Sequence, residues 1–235
     1  MPTKTNWRLA LFILITGVQA ATAEEYLNPK WSARQSAARK AAVLPPVAEL
    51  KRAGMKGDEG LIEESEAVAA ALQAAVARAL PSAGLRVIPN PFTEPALRQR
   101  PGLRYELRNM QTRYAALESM LMRNGRDVPN GRFSMGDEVC NVNPDGAADV
   151  LAFVRWDGTA VTAGKKAYGV FMIEPKRSTA DLTVTLVDAF LGDVLFFTRL
   201  KLHGNIVDPR GGVLSEGGTL DQKLRQAFGK LGRKE

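Results

Sequence analysis

Nucleophilic catalysis of the common kind sets a histidine against a serine, cysteine or threonine. This chain of 235 residues holds one histidine, His203, and one cysteine, Cys140. They form a dyad only if the fold carries residue 140 to the far end of the strand read at residues 193–202. The plainer reading is a small residue near a loop and a polar residue at a strand end. Catalytic zinc takes three His, Cys or carboxylate ligands, and neither HExxH nor CxxC spacing occurs. Paired carboxylates act on glycosidic bonds, and Asp58, Glu59, Glu63 and Glu64 gather where a helix begins. Acids at that position complement the helix dipole, which explains them first. Gly211, Gly212, Gly217 and Gly218 resemble a phosphate cradle, but the Gly-Lys-Ser/Thr ending is missing, so the segment reads as a flexible loop. The sequence therefore assigns no catalytic residue, no metal ligand and no cofactor.

Charge is the chemistry that remains. Arg98, Arg100, Arg104, Arg108 and Arg113 face only Glu106 between positions 98 and 113. They read either as a solvated helix face or as a contact for an anionic partner. Trp31, Arg100, Arg104 and Arg108 are the candidate partner-contact residues.

The elements that must position these residues follow from period and punctuation. Residues 24–39 read as an extended polar arm carrying Trp31. Residues 40–44 read as a strand stopped by Pro45-Pro46, since proline cannot donate to a ladder. Residues 48–60, with three glycines and mixed charge, read as a surface loop. Val68, Leu72, Val76 and Leu80 recur every four residues and predict a helix over 61–80. Leu85-Arg86-Val87-Ile88-Pro89 repeats the strand-and-proline form, which makes a β-α-β unit with parallel strands. At most one helical turn fits residues 90–102. Leu103, Leu107, Met110, Tyr114, Leu117 and Leu121 mark a second long helix ending at Asn124-Gly125. A long loop over 126–146 and a buried strand over 149–156 follow. Residues 163–173 fit a strand slightly better than a helix. Residues 182–188 and 193–202 form a hairpin whose Leu182, Val184 and Leu186 alternate with threonines. Leu220, Leu224, Phe228 and Leu231 close the chain with an amphipathic helix.

The first 23 residues say where the chain works. Lys4 and Arg8 precede a ten-residue apolar run over 9–18, and Ala21-Thr22-Ala23 matches the small-residue pattern cut by signal peptidase. Val18-Gln19-Ala20 offers a second cut. A spanning helix needs about 20 apolar residues, so residues 1–23 read as a cleaved signal peptide. No stable membrane span is expected after cleavage. Cys140 is too far from the leader to carry a lipoprotein anchor, which predicts a periplasmic or secreted protein. The 212 residues left suffice for a single α/β domain over 40–232. Loss of Lys4 and Arg8 takes the formal charge from +7 to +5. That suits an envelope protein or an anionic envelope component as partner, and not nucleic acid, because no dense Lys/Arg tract occurs.

The order of segments resembles a family of bacterial cell-envelope domains. The motifs are Ala42-Val43-Leu44-Pro45-Pro46, Leu85-Arg86-Val87-Ile88-Pro89, Gly146-Ala147-Ala148-Asp149-Val150-Leu151, and Leu186-Val187-Asp188 with Gly192-Asp193-Val194-Leu195. The family includes the curli assembly and secretion lipoprotein, the lipoprotein activator of penicillin-binding proteins and the amino-terminal domain of the Tol translocation protein. The resemblance covers residues 40–202. It implies an α/β fold: a mixed β-sheet with an initial β-α-β unit, an antiparallel hairpin near the C-terminus and two or three long helices packed on the sheet. It also implies a non-catalytic docking role, with no catalytic residue to carry over.

The sequence thus leads to an exported, non-enzymatic envelope protein that binds or assembles other components. Two alternatives stand beside it. One is a carboxylate-dependent cell-wall or lipid hydrolase, whose signature is a deep cleft of acids with raised pKa. The other is a small-ligand carrier with a large apolar pocket between sheet and helices.

Overall fold

The computed structural model describes residues 23–34, 40–54, 57–161, 178–203 and 217–232. Its strands are β1 (Ala23–Leu27), β2 (Lys40–Val43), β3 (Val47–Gly54), β4 (Gly57–Gly60), β5 (Arg86–Val87), β6 (Val150–Val161), β7 (Thr179–Asp188) and β8 (Val194–His203). Its helices are α1 (Lys30–Arg34), α2 (Ile62–Ala79), α3 (Glu94–Gln99), α4 (Pro101–Asn124) and α5 (Thr219–Leu231). Three 3-10 segments, Gly125–Asn130, Asp137–Val142 and Pro144–Gly146, connect α4 to β6.

All eight strands join one sheet in the order β1-β8-β7-β6-β2-β5, with β3 and β4 off that path. β2 lies parallel to both β5 and β6, while β6, β7, β8 and β1 run antiparallel in turn. This is the mixed sheet expected, with β2-α2-β5 as the β-α-β unit and β7-β8 as the hairpin. Residues 1–22 of the segment 1–23 expected as a signal peptide, the segment 163–173 and the glycines Gly211 and Gly212 lie outside the described residues.

Pro45 and Pro46 interrupt one long edge rather than ending it. β2 pairs with Val150–Ala152 of β6, and after the prolines β3 resumes beside Arg155–Val161 of the same strand. The prolines offer no N–H there. Gln73 Nε2 donates to the Val43 carbonyl at 3.3 Å and Gln111 Nε2 to that of Pro45 at 3.2 Å. Side chains from α2 and α4 thus occupy carbonyls that an open edge would offer to another strand. The surface loop expected over 48–60 is instead the β3-β4 hairpin. Its charged residues line an edge that water reaches, so they do not oppose strand formation; among its described residues Leu50 and Ala53 turn fully inward.

The arm expected over 24–39 also needs correction. Ala23–Leu27 is the edge strand against β8, with Lys201 3.7 Å from Glu24 and Lys230 2.6 Å from Glu25. Tyr26 stacks on Phe197 and lies flat over Gly125, where a Cβ would fall 2.6 Å from the ring. The polar sequence reflects an edge position rather than the absence of a strand.

Two hydrophobic clusters hold the layers. On one face α2 and α5 cover the sheet along its full length, from Val150 and Leu186 to Trp156 and Leu202. On the other, Leu107, Met110, Tyr114, Leu117 and Leu121 of α4 cover Leu151, Phe153, Val187 and Phe197. Each fully buried aliphatic side chain contributes about 1.5–3 kcal/mol.

Candidate binding surface

Past Phe153, Thr185 and Phe197 the α4-facing side of the sheet turns polar. The next cross-strand row is Arg155, Thr183 and Arg199, and the one after it Asp157, Asp181 and Lys201. Tyr114 and Glu118, one turn apart on α4, mark the change. The Tyr114 hydroxyl lies 2.9 Å from Thr185 Oγ1, and the Thr183 hydroxyl donates to Glu118. Arg155 is the hub: its guanidinium is 2.8 Å from Glu49, 3.1 Å from Asp157 and 3.4 Å from Glu118. Arg199 grips Asp181 through two hydrogen bonds of 3.1 and 3.2 Å. Burial raises the Glu118 carboxyl above its ordinary value, against the Thr183 hydrogen bond and the Arg155 charge. Burial, with the Glu118 charge second, also raises the Tyr114 phenol. Both shifts belong to groups locked beneath α4, so they describe structural polar contacts.

The residues proposed from sequence fall in different places. Trp31 is 2 % exposed, and its Nε1 donates to the Leu231 carbonyl at 3.1 Å. It fastens α1 to the end of α5, so it is a core residue and not a partner contact. The arginine run is largely neutralised, by Glu94 just before it and by two acids far along the chain, Glu138 and Asp145. Arg104 lies 2.8 Å and Arg98 3.8 Å from Glu94, Arg100 is 3.2 Å from Asp145, and Arg113 is 2.8 Å from Glu138. The hydrogen bond from Arg113 holds the Glu138 carboxyl below its usual range. Arg108 is exposed and has no ion pair among the described residues.

Arg100 belongs to a basic groove that the sequence reading missed. Lys40 and Arg86 occupy paired positions on the parallel strands β2 and β5. With Arg100, they line a groove of about 440 Å³ walled by Ile88, Pro91 and Ala96. Lys40 and Arg86 are exposed, and no carboxylate among the described residues pairs with either side chain. Asp145, held at φ 60° by the turn after Asn143, is the one acid among the described residues lining the groove and already faces Arg100. The missed signal was the cation near the start of each strand-and-proline segment, Lys40 in one and Arg86 in the other.

The alternative chemistries are placed as follows. Cys140 sits in the 3-10 segment just after Gly136, which abuts Gly192 at the start of β8, while His203 ends that strand. Ten residues of β8 separate the two ends by about 30 Å, so no Cys140–His203 dyad forms. Asp58 and Glu59 lie on β4, and Glu63 and Glu64 occupy the first turn of α2, with Glu59 3.6 Å from Arg52. No group of three or more His, Cys, Asp or Glu among the described residues is placed to hold a metal. An apolar groove of about 540 Å³ opens at the sheet edge, between Val47 and Leu50 of β3 and Ile62, Ser65 and Ala69 of α2. Among the described residues no helix is long and apolar enough to cross a membrane.

No family model and no curated protein matches the chain. Among solved structures it is similar to the PelC dodecamer from Paraburkholderia phytofirmans. That match has a TM-score of 0.40 and 11% identity, and covers 92% of this chain and 100% of that chain. It is also similar to the lipoprotein GNA1162 from Neisseria meningitidis, with a TM-score of 0.32, 14% identity, and coverage of 82% and 95%. Likenesses at this level assign neither residues nor activity.

Proposed function

We propose that this chain is an exported envelope protein that binds an anionic envelope component and acts as an assembly adaptor, not as an enzyme. One observation carries the reading: Lys40 and Arg86 stand side by side with no carboxylate partner among the described residues, next to Arg100 at the mouth of one groove. Unpaired surface cations cost little and are free to meet phosphate or carboxylate. The leader pattern supports export, and the ordered strand motifs support the envelope setting. The role of the arginine helix narrows accordingly, because Arg104 is neutralised by Glu94 while Arg100 shares the groove.

The test is retention of anionic material from envelope extract by the exported chain, at low and at raised salt. Wild type should retain it, with retention falling as salt screens the contact. Lys40→Glu with Arg86→Glu should abolish it, whereas Arg104→Glu should weaken it little. Equal retention by all three proteins would remove the groove from the reading.

A further inference from the structure

Phe190 and Leu191 are neighbouring large apolar residues, 45% and 52% exposed, at the tip of the β7-β8 turn. Scattered exposed apolar residues are ordinary; this pair is presented by a turn fixed from several sides. The Asp188 carboxylate accepts the N–H groups of Phe190 and Leu191 at 3.0 and 2.9 Å. Met135 N–H donates to the Gly192 carbonyl at 2.9 Å, and the Ser134 hydroxyl to that of Leu191 at 3.4 Å. Gly192 has φ +73°, and a Cβ there would lie 2.1 Å from the Gly136 carbonyl oxygen. A turn held this firmly loses little entropy when its tip is engaged.

The tip adjoins the basic groove. Ala189 N–H donates to the Asp149 carbonyl at 3.0 Å, and Lys40 N–H to the Asp149 carboxylate at 2.9 Å. The Phe190 ring reaches Gly146, whose neighbours Asp145 and Ala147 line the groove beside Arg100. Two apolar side chains flanked by Lys40 and Arg86, which have no carboxylate partner among the described residues, therefore occupy one end of the sheet.

We infer that this end docks on an anionic bilayer: Phe190 and Leu191 enter the headgroup and acyl boundary while Lys40, Arg86 and Arg100 meet lipid phosphates. The inference rests on the groove reading above and gives its anionic component a chemical class. A tip of two residues is far smaller than the ~800 Å² per partner that a specific protein interface buries. It matches the shallow insertion of peripheral proteins, where an apolar anchor and a basic patch act together.

The experiment is flotation of the exported chain with phosphatidylethanolamine vesicles, with and without phosphatidylglycerol, beside binding to a soluble polyanion such as heparin. Wild type should float only with phosphatidylglycerol present. Phe190→Ser with Leu191→Ser should lower vesicle partitioning about tenfold and leave heparin binding unchanged. Lys40→Glu with Arg86→Glu should lower both, by about fivefold per cation or more. Thermal melts identify any variant that fails to fold, and Phe190→Leu then serves as the conservative control that keeps partitioning. Heparin binding without vesicle binding would leave the groove reading intact and overturn the bilayer inference. Vesicle binding indifferent to the tip substitutions would overturn it too. Loss of both ligands in wild type would remove the groove reading itself.

Discussion

The two faces of the sheet are made by the same strands and end differently. The face under α2 and α5 stays apolar along the whole sheet, from Val150 through Trp156 on β6 and from Leu186 to Ala180 on β7. The face under α4 is apolar only as far as Phe153, Thr185 and Phe197, and then passes to the Arg155 and Arg199 networks. Burying unpaired charge is prohibitive, so the polar rows fix how far along the sheet α4 can pack. Both faces bury an apolar cluster, but the first does so along the whole sheet, whereas the second sets the position of one helix and leaves its remaining area to solvent.

The comparison is most directly broken on the covered face. Trp31→Ala leaves a large cavity and removes the Nε1 bond to the Leu231 carbonyl, and should cost about 3–5 kcal/mol. Asp157→Asn, on the open half, leaves Arg155 with Glu49 and Glu118 and should cost less than about 1 kcal/mol. Denaturant midpoints at constant m-value separate the two. Similar losses would erase the distinction between the faces. Gly192→Ala comes next: a side chain at φ +73° costs about 1–3 kcal/mol, before any displacement of Gly136. Its loss should appear in the thermal midpoint, and the exchange protection of Leu191 and Gly192 amides should fall further than that of β6.

Much of the two-faced design was legible in β6 and β7. Residues 150–154 are apolar without a break, as a strand covered on both sides must be. From Arg155 the pattern alternates, with Trp156 inward and Asp157 outward. That switch marks where α4 leaves the sheet, although it was read only as the end of a buried strand. The α2, α4 and α5 stripes were clear because each buries one face. β1 and β3 were not, since edge strands carry the charges that suit an exposed edge, Glu24 and Glu25 in one and Glu49, Lys51 and Arg52 in the other. The arginine run misled for a related reason. Two of its counter-ions, Asp145 and Glu138, are 45 and 25 positions away from Arg100 and Arg113, and no local count of charge registers them; Glu94, four residues before Arg98, falls just outside the span 98–113. The basic groove was hidden likewise, because Lys40 and Arg86 meet only once β2 and β5 pair.

Glu118 sharpens the boundary between the faces through pH. Its folded pKa is raised by burial, so the folded state holds its proton to higher pH than the unfolded chain does. The contribution of this group is therefore fully present below the ordinary value of 4.5 and fades as pH rises through the raised folded value. Glu118→Gln keeps a polar group on Thr183 but cannot titrate. Relative to wild type it should be better placed at pH 7.5 than at pH 4.5, less whatever the lost Arg155 pair contributes at the higher pH. Thermal midpoints of both proteins across that range give the sign. A difference independent of pH would show that Glu118 is not the group that titrates at this boundary.

The smallest effect on stability should come from Glu94, which lies outside both networks and holds two arginines at once. Arg98 and Arg104 are both more than a third exposed, and Glu94 itself is 64% exposed at its side chain. Water and salt screen such pairs, so Glu94→Gln should shift stability by less than about 1 kcal/mol. Its electrostatic effect is of a different kind. Removing one carboxylate from α3 releases two guanidiniums, two and four residues from Arg100, and raises the positive potential along the groove wall. Binding to an anionic surface should therefore tighten, more so at low salt, with no change in unfolding midpoint. The opposite pairing of results, a lowered midpoint with unchanged binding, would mean that the arginine helix is held by its acids for structure alone and adds nothing to the basic end of the sheet.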